Sequence, residues 1–408
     1  MKSRTALAFT ATLALAVVAP AKTIFDSSAQ LRTGFDTNPL AAGGPATAAL
    51  GGDESFFTAA GLTFGLATPA RPDAASFKLG YAAETVRFEN CPDENHTTHR
   101  LSVAARHTVG GWKISGDAST LHVDGDRDTL PSIAACNGNG TSLWRERRAQ
   151  WQHRAKFLAQ RDAGAARIRF VGTLLDYDYL TRARAGLAAF ADRADRHGGA
   201  DLGWKQSAQS LWFAGVRLGA QDQDTIPLPG GSIECSNRYT RVLAGWEGAL
   251  GANTTLSLAA GPDFRHYDGA VDPRVFRQRR HTFGWFDASL TTKLSPSLTL
   301  TAKTTRWAWL SSTGKSAYTD FAAEVSLGWV IDPTLSLRAT AKAHQCSYFP
   351  TVRNDWEYLG GLGLTYKPSP RWQLTADVLD HHGWNELPGL EDRDFQRLVV
   401  TVGASVKL

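Results

Sequence analysis

The sequence lacks the features that several large classes of protein require. After the N-terminus, no run of 18 apolar residues occurs among the 408, so a bundle of transmembrane helices is excluded. Hydrophobic residues make up 43% and charged residues 20%, which excludes a disordered chain. Lys and Arg number 44 against 39 Asp and Glu, too small a surplus for a nucleic-acid-binding protein of this length.

Motifs of catalysis are also missing. No Gly-x-Ser-x-Gly occurs, and Gly314-Lys315-Ser316 follows Trp309 where a phosphate loop requires glycine. The best rim groups for a hydrolase are Asp380-His381-His382 and Asp176-Tyr177-Asp178. The two adjacent histidines would point to opposite faces of a strand and could not grip one substrate together. We therefore predict that the protein is not an enzyme, and we predict no catalytic residue, cofactor or metal.

What the sequence does contain begins with an export signal. Two basic residues precede a weakly apolar stretch over residues 5–18, and Ala19-Pro20-Ala21 supplies small residues for cleavage. We predict that residues 1–21 are a cleaved signal peptide and that residues 22–408 form the mature domain.

Apolar residues alternate with polar ones along most of the mature chain. Residues 335–343 put leucine and alanine on one face and Ser, Arg, Thr and Lys on the other, and residues 321–329 and 398–408 follow the same period of two. Such segments run for about 10–15 residues, longer than the usual strand of a soluble sheet. Length and alternation together favour transmembrane β-strands. We predict an all-β fold: one closed antiparallel barrel of about eighteen strands, with sixteen as the alternative.

The connections between these segments alternate in length. Short turns rich in Pro and Gly are predicted near residues 109–111, 161–164, 251–253, 295–297, 332–334 and 368–370. Longer polar loops are predicted at 36–54, 89–97, 124–143, 181–198, 223–236, 268–277 and 385–392. Short periplasmic turns and long outer loops are typical of outer-membrane barrels. A propeller would show a repeated blade motif, and none is present.

The four cysteines fall on the loop side of this topology. Spacings of 45, 99 and 111 residues separate Cys91, Cys136, Cys235 and Cys346, which excludes Cys-x-x-Cys redox and zinc pairs. Because exported proteins retain disulfides, we predict bonds Cys91–Cys136 and Cys235–Cys346.

Strand parity assigns a basic set of residues to the lumen. Arg and Lys rings favour anions by raising their local concentration, so these residues predict a pore that prefers anions, unless the charges are neutralised in pairs. The predicted pore-lining bases are Arg100, Arg106, Arg148, Arg154, Lys156, Arg167, Arg169, Arg217, Arg241, Arg277, Arg279, Arg338 and Lys342.

Three further segments have a predicted role outside the strands. Residues 144–148 and 277–281 are rich in Arg and could bind lipopolysaccharide phosphates or form solvated loops. Residues 181–198 carry apolar side chains at helical spacing, which predicts either an inward-folded constriction or a surface loop.

Short motifs add a family resemblance. Gly34-Phe35-Asp36-Thr37-Asn38-Pro39, with the turn-and-strand units beginning at Ser295-Pro296-Ser297 and Asp332-Pro333-Thr334, resembles the β-barrel porin 2 family and related outer-membrane β-barrel proteins. The resemblance implies a Gram-negative outer-membrane porin, a passive diffusion channel for small hydrophilic solutes. Its implied partners are outer-membrane lipid, lipopolysaccharide and polar or anionic solutes, with a homotrimer as one assembly. The chain ends in Val406-Lys407-Leu408 rather than the usual Phe or Trp.

Two alternatives remain open at this point. One is a structural or adhesive outer-membrane barrel that does not conduct ions. The other, less favoured, is an outer-membrane enzyme.

Overall fold

The structure is a computed structural model that describes most of the mature chain. It covers residues 23–40, 54–69, 75–125, 149–180, 191–228, 231–233, 235–268, 279–311, 316–349, 353–386 and 394–408, without the side chains of Asp93 and residues 226–234. The predicted signal peptide therefore lies outside the described residues.

Long strands account for nearly all of the described chain. In β17, Leu335, Leu337 and Ala339 point to one side while Arg338 and Lys342 point to the other, so one strand serves two different environments. The strands are β1 Ile24–Asp36, β2 Ser55–Ala67, β3 Ser76–Phe88, β4 His96–Val109, β5 Trp112–Asp124, β6 Gln150–Ala163, β7 Ala166–Tyr179, β8 Arg193–Ser207, β9 Ser210–Gln223, β10 Ile226–Leu228, β11 Gly231–Ile233, β12 Asn237–Ala249, β13 Thr254–Tyr267, β14 Arg280–Lys293, β15 Leu298–Leu310, β16 Ala317–Val330, β17 Leu335–Phe349, β18 Arg353–Tyr366, β19 Trp372–Asn385 and β20 Phe395–Lys407.

Eighteen of these strands form a single closed sheet. Each pairs antiparallel with the next along the chain, β9 pairs with β12, and β1 pairs with β20 to close the barrel. The short strands β10 and β11 pair only with each other. The predicted closed antiparallel barrel of eighteen strands is confirmed. A closed barrel leaves no free sheet edge, which a strand in lipid could not tolerate.

The two edges of the barrel differ in their connections. At the edge that we call the turn edge, connections are as short as the two residues Gly110 and Gly111, whose φ values of +56° and +79° give the left-handed backbone of a tight hairpin. At the opposite edge, the loop edge, connections such as residues 37–54 and 125–149 are much longer. The predicted alternation of short turns and long loops is therefore present, except that residues 350–352 make a short connection at the loop edge and residues 68–75 a longer one at the turn edge.

The outward face of the barrel is apolar. Residues opposed across strands share a face, and the face with the exposed large hydrophobic side chains is the outer one. It includes Leu31, Leu62, Phe64, Phe170, Leu202, Trp204, Trp212, Leu218, Val242, Leu362, Leu374 and Val402. No helix among the described residues is long and apolar enough to cross a bilayer.

One loop prediction was wrong in part. The predicted outer loop 181–198 gives way to strand β8 at Arg193, which pairs along both β7 and β9. The helical spacing of apolar residues in 181–198 hid the start of β8, because Gly198, Gly199 and Ala200 leave this strand without a clear apolar face. Residues 181–190 lie outside the described residues, so a constriction there stays a prediction.

Candidate channel lumen and its constriction

The inward face of the barrel carries most of the bases predicted to line a pore. The strand register gives an inward position to Arg100, Arg106, Arg154, Lys156, Arg167, Arg169, Arg217, Arg241, Arg338 and Lys342. Arg279 precedes β14 directly and is exposed. Arg148 and Arg277 lie outside the described residues, as does the whole cluster 144–148.

The barrel strands from β7 to β13 form a wall in which the arginines are bound to carboxylates, five arginines sharing Asp201, Glu247 and Asp263, and we call it the paired wall. Arg217 donates two hydrogen bonds to Asp201, at 2.6 and 3.0 Å, and Arg169 reaches the same carboxylate at 2.7 Å. Arg167 and Arg169 both also bind Glu247, on β12. Bidentate contacts of this kind are the strongest ion pairs that proteins form.

Two glycines allow the Asp201–Arg217 pair to lie flat against the paired wall. A Cβ atom on Gly215 would sit 1.9 Å from Asp201 Oδ1, and one on Gly199 would sit 2.7 Å from Arg217 Cδ. Any larger residue would displace one member of the pair. These glycines therefore serve close approach rather than a turn.

A second buried network lies nearer the loop edge of the paired wall. Asp263 is fully buried and accepts hydrogen bonds from Arg241 at 2.9 Å and Arg265 at 3.0 Å. Arg265 also donates to Gln221 at 2.6 Å and stacks over Tyr239, with its guanidinium carbon 4.6 Å from the ring centroid. Buried charges with partners on several sides hold neighbouring strands in one register.

Strands β3 to β6 form a second wall, whose inward bases lack the ion pairs of the paired wall, and we call it the basic wall. Six inward bases there make no ion pair within 4 Å among the described residues: Lys78, Arg100, Arg106, Lys113, Arg154 and Lys156. All six are exposed to the lumen. Glu84 and Asp162 are engaged by Arg32 and by Arg167 and Lys205, which leaves Asp117 as the one described inward acid of these strands without a basic partner.

The barrel wall doubles over itself at the loop edge. Pairing between β14 and β15 covers residues 286–293 and 299–306 and stops there, although β15 continues to Leu310 and β14 begins at Arg280. Beyond this point β15 remains paired with β16, and β16 with β17. We call residues 307–310, 317–320 and 346–349 of these three strands the inner layer.

Burial shows where the inner layer lies. Ala308, Leu310 and Ala317 have the parity of the lipid-facing side, yet their exposed fractions are only 1%, 1% and 0%. Leu310 and Ala317 pack against Tyr267, whose side chain has the inward parity of β13. The outward face of the inner layer therefore packs on the lumen face of β13, inside the barrel.

Side chains of the paired wall complete the hydrogen bonding of the inner layer. Gln221 donates to the carbonyl oxygen of Ala308 at 3.0 Å, Gln223 donates to that of Ser311, and Arg193 donates to that of Leu310. The Ala308 and Leu310 carbonyls lie on the β15 edge that no longer pairs with β14, and Ser311 follows directly after that strand. The inner layer thus narrows the lumen with continuous strands rather than with a loop.

The structure shows no bond between Cys235 and Cys346, so this predicted disulfide is not confirmed. Cys235 packs with Tyr267 and Leu310 beneath the inner layer, whereas the Cys346 thiol lies 3.6 Å from His344 Nε2 in the lumen-facing polar group. The two cysteines share the loop edge but belong to different clusters, so proximity along that edge did not imply a bond. The predicted partner of Cys91, Cys136, lies outside the described residues.

The candidate rim groups for an enzyme do not converge. His381 points inward to Glu357, with Nε2 2.6 Å from Oε1, while His382 lies on the outward face beside Asp380. Asp176 and Asp178 also have the outward parity of β7. The absence of enzyme activity stays a prediction.

A closed barrel with an apolar exterior and a charged interior satisfies every requirement of a strand protein in lipid. The protein is an outer-membrane β-barrel. No family model and no curated protein match the chain.

Solved structures of similar architecture are outer-membrane proteins of Pseudomonas aeruginosa. OpdO is 13% identical with a TM-score of 0.46, covering 94% of this chain and 97% of that chain. OpdK is 11% identical with a TM-score of 0.43, covering 94% and 99%. The siderophore receptor PirA is 9% identical with a TM-score of 0.43, covering 96% and 81%. At these scores, what this chain does must be inferred from its own residues.

Proposed function

We propose that this outer-membrane barrel is a porin: a passive diffusion channel for small hydrophilic solutes that prefers anions. The observation that carries the proposal is the basic wall, where six bases of the described strands face the lumen without ion pairs to other described residues and Asp117 is the one acid of those strands left without such a basic partner. Unpaired cations along one side of a water-filled barrel raise the local concentration of anions. Barrels of this strand number are wide enough to leave a channel.

The paired wall contributes little to this preference. Its guanidinium groups are bound to carboxylates at 2.6–3.0 Å, which weakens their field in the lumen, and only the excess of five arginines over three carboxylates remains. Selectivity therefore depends mainly on the basic wall, with Arg338 and Lys342 of β17 as further inward bases without an ion pair among the described residues, and the count of all inward bases overstates it.

Planar-bilayer recording of the mature protein tests the proposal. Under a KCl gradient we expect discrete conductance steps with a reversal potential that favours chloride. The triple variant Arg100→Glu, Arg106→Glu and Arg154→Glu should move that potential towards potassium, whereas the control Lys367→Glu, in a turn-edge connection, should leave it nearly unchanged. Steps without ion preference in the unmodified protein would refute the anion preference but retain the channel.

A non-conducting structural or adhesive barrel is the second candidate. The inner layer favours this candidate, because Trp309 and Tyr318 contribute large side chains to the narrowed lumen. The ring centroid of Trp309 is 6.4 Å from that of Tyr177 on the opposing side. If this contact closes the pore, a correctly folded barrel would show no conductance in the same recording. Silence would therefore replace the porin with this candidate.

Contact with lipid phosphates is also proposed, at a site on the outside of the loop edge. Arg238, His266 and Arg280 are directly opposed on β12, β13 and β14, exposed, and of outward parity. A row of bases at this height matches the phosphates of lipopolysaccharide. Native mass spectrometry with purified lipid A should show adducts that the variant Arg238→Ala/Arg280→Ala loses. The homotrimer stays a prediction, and the same spectra count subunits.

A further inference from the structure

A group of three metal-ligand side chains faces the lumen where the inner layer begins. Asp320 on β16 and Cys346 on β17 are directly opposed, and His344 lies two residues before Cys346 on the same face. His344 Nε2 is 2.9 Å from Asp320 Oδ1 and 3.6 Å from Cys346 Sγ. All three donor atoms lie within 4.8 Å of one another.

We propose that Asp320, His344 and Cys346 bind a first-row transition-metal dication, and Zn²⁺ is the ion that fits them best. Thiolate, imidazole and carboxylate together select zinc and its neighbours over Ca²⁺ and Mg²⁺, which prefer oxygen ligands alone. In a tetrahedral site these donors would be about 3.3–3.7 Å apart, given metal–ligand bonds of about 2.0–2.3 Å. His344 Nε2 and Cys346 Sγ already have that spacing, His344 Nε2 and Asp320 Oδ1 would separate by about 0.4 Å, and the Asp320 carboxylate and Cys346 Sγ, within 4.8 Å of each other, would approach by up to about 1.3 Å.

The surroundings of His344 support the role of Nε2 as the ligand atom. Nδ1, the other ring nitrogen, is 3.2 Å from Glu357 Oε2, and Glu357 Oε1 is in turn 2.6 Å from His381 Nε2. Metal-binding histidines commonly donate their second N–H to a carboxylate, which fixes the ring and raises its basicity. Glu357 is thus a positioning residue that already holds the ring in the required orientation.

The charge balance is also suited to a dication. One thiolate and one carboxylate offset two positive charges. Among the described residues, no Arg or Lys lies within 4 Å of the Asp320 carboxylate. A further acid, Asp355, opposes Cys346 but is paired with Arg353, whose Nε donates to Oδ1 at 2.7 Å. Arg353 is therefore engaged by Asp355 rather than by Asp320.

The three donors leave one coordination position open. The His344 and Asp320 side chains are partly exposed, at 21% and 13%, so the site is reached from the lumen. A metal here would join β16 to β17 at the first residues of the inner layer. The site needs neither the basic wall nor ion conduction, so it stands independently of the proposed channel activity.

Cobalt absorption spectroscopy on the folded, detergent-purified barrel tests the site. With Co²⁺ as the probe we expect a thiolate-to-cobalt charge-transfer band in the near ultraviolet and tetrahedral bands in the visible, both displaced by Zn²⁺. Cys346→Ser should abolish the charge-transfer band, while the control Cys91→Ser, a cysteine packed with Phe57 and Phe88 elsewhere in the barrel, should retain it.

A positioning variant separates metal binding from a merely structural cluster. Glu357→Gln keeps the three ligands and should weaken Co²⁺ affinity by about 10- to 100-fold, the usual range for removal of such a partner. The heat-dependent electrophoretic mobility of the barrel confirms that each variant is folded. A folded unmodified protein without the charge-transfer band, an equal band in Cys346→Ser, or a Cys346 found in a disulfide by mass spectrometry would overturn the proposal.

Discussion

Both the paired wall and the basic wall contain inward arginines, but these arginines have different roles in the two walls. Arg217 and Arg154 both point into the lumen, but Arg217 finds Asp201 at 2.6 Å, whereas Arg154 makes no ion pair in the described part of the chain. The difference follows from what the neighbouring strands supply. Arg217 is directly opposed by Gly199, which leaves room for it to reach Asp201 two residues further along β8, whereas Arg154 is directly opposed by Ser119 and Leu175, and its charge remains available to solutes.

The largest expected effect is on the stability of the paired wall. Asp263→Asn removes the shared partner of Arg241 and Arg265 and leaves buried guanidinium charge uncompensated, which should cost about 3–5 kcal/mol. Guanidinium-induced unfolding in vesicles, followed by tryptophan fluorescence, measures it. Asp117→Asn on the basic wall is the control and should change the free energy of unfolding by less than about 0.5 kcal/mol. Equal losses would remove the distinction between the walls.

The next effect concerns the attachment of the inner layer. Arg193→Ala removes a charged donor to the Leu310 carbonyl and the stacking of its guanidinium on Tyr177 and Trp309, at 4.8 and 5.1 Å from the ring centroids. We expect a loss of about 1.5–3 kcal/mol and a larger single-channel conductance. Arg196→Ala, which breaks an exposed pair on the outward face of the same strand, should do neither. Conductance unchanged by Arg193→Ala would mean that the inner layer does not narrow the pore.

A smaller effect depends on pH at the loop edge. Burial raises the pKa of Asp192 to about 6, and the carboxylates of Asp178 and Asp224 add to the rise. Because the folded protein holds this proton more tightly than the unfolded chain, the free energy of unfolding should fall as the pH rises from about 4 to about 6. Asp192→Asn should flatten that slope, by about 1 kcal/mol after allowance for solvent screening.

Asp332 at the turn edge provides a comparison of opposite sign. Hydrogen bonds from the Thr334 side chain and backbone lower the pKa of Asp332. Its contribution to stability should therefore be present above the ordinary pKa of an aspartate and be lost as the pH falls. A variant Asp332→Asn that flattened the same pH window as Asp192→Asn would contradict both assignments.

The smallest expected effect is on selectivity at the basic wall. Asp117→Asn removes the one acid of this wall that has no basic partner among the described residues, and it should increase the preference for chloride by about twofold, since two charges about 10 Å apart in water interact by about 0.4 kcal/mol. The reversal potential under a KCl gradient measures it at low salt. In 1 M KCl the effect should vanish, because screening shortens to about 3 Å. A change that survived 1 M salt would have another cause.

Much of the barrel was predictable because alternation fixes both the strand and its faces. Residues 335–343 predicted β17 and the inward positions of Arg338 and Lys342 together. The same reasoning failed at β8, where Gly198, Gly199 and Ala200 carry no amphipathic signal and a short helical period ran into the strand. At such positions the periodicity of apolar residues cannot distinguish a strand from a loop.

The alternation of apolar and polar residues could not predict the inner layer or the proposed metal site. Ala308, Leu310 and Ala317 fit lipid as well as they fit a second protein layer, so their parity gave no sign that the strands turn inward. The metal ligands did leave a local signal: His344-x-Cys346 puts both side chains on one face of a strand. The spacing rules for cysteine pairs could not detect it, because Asp320, the third ligand, comes from the neighbouring strand.

The doubled wall at the loop edge also has a mechanical consequence. A tube one layer thick flattens easily, whereas a rim turned inward and tied to the facing strands acts as a brace across the opening. Arg193, Gln221 and Gln223 provide those ties at one mouth, and the single-layered turn edge has no such brace among the described residues. Changes in the lateral pressure of the bilayer should therefore alter the diameter of the barrel at the turn edge, while the barrel keeps its shape at the loop edge.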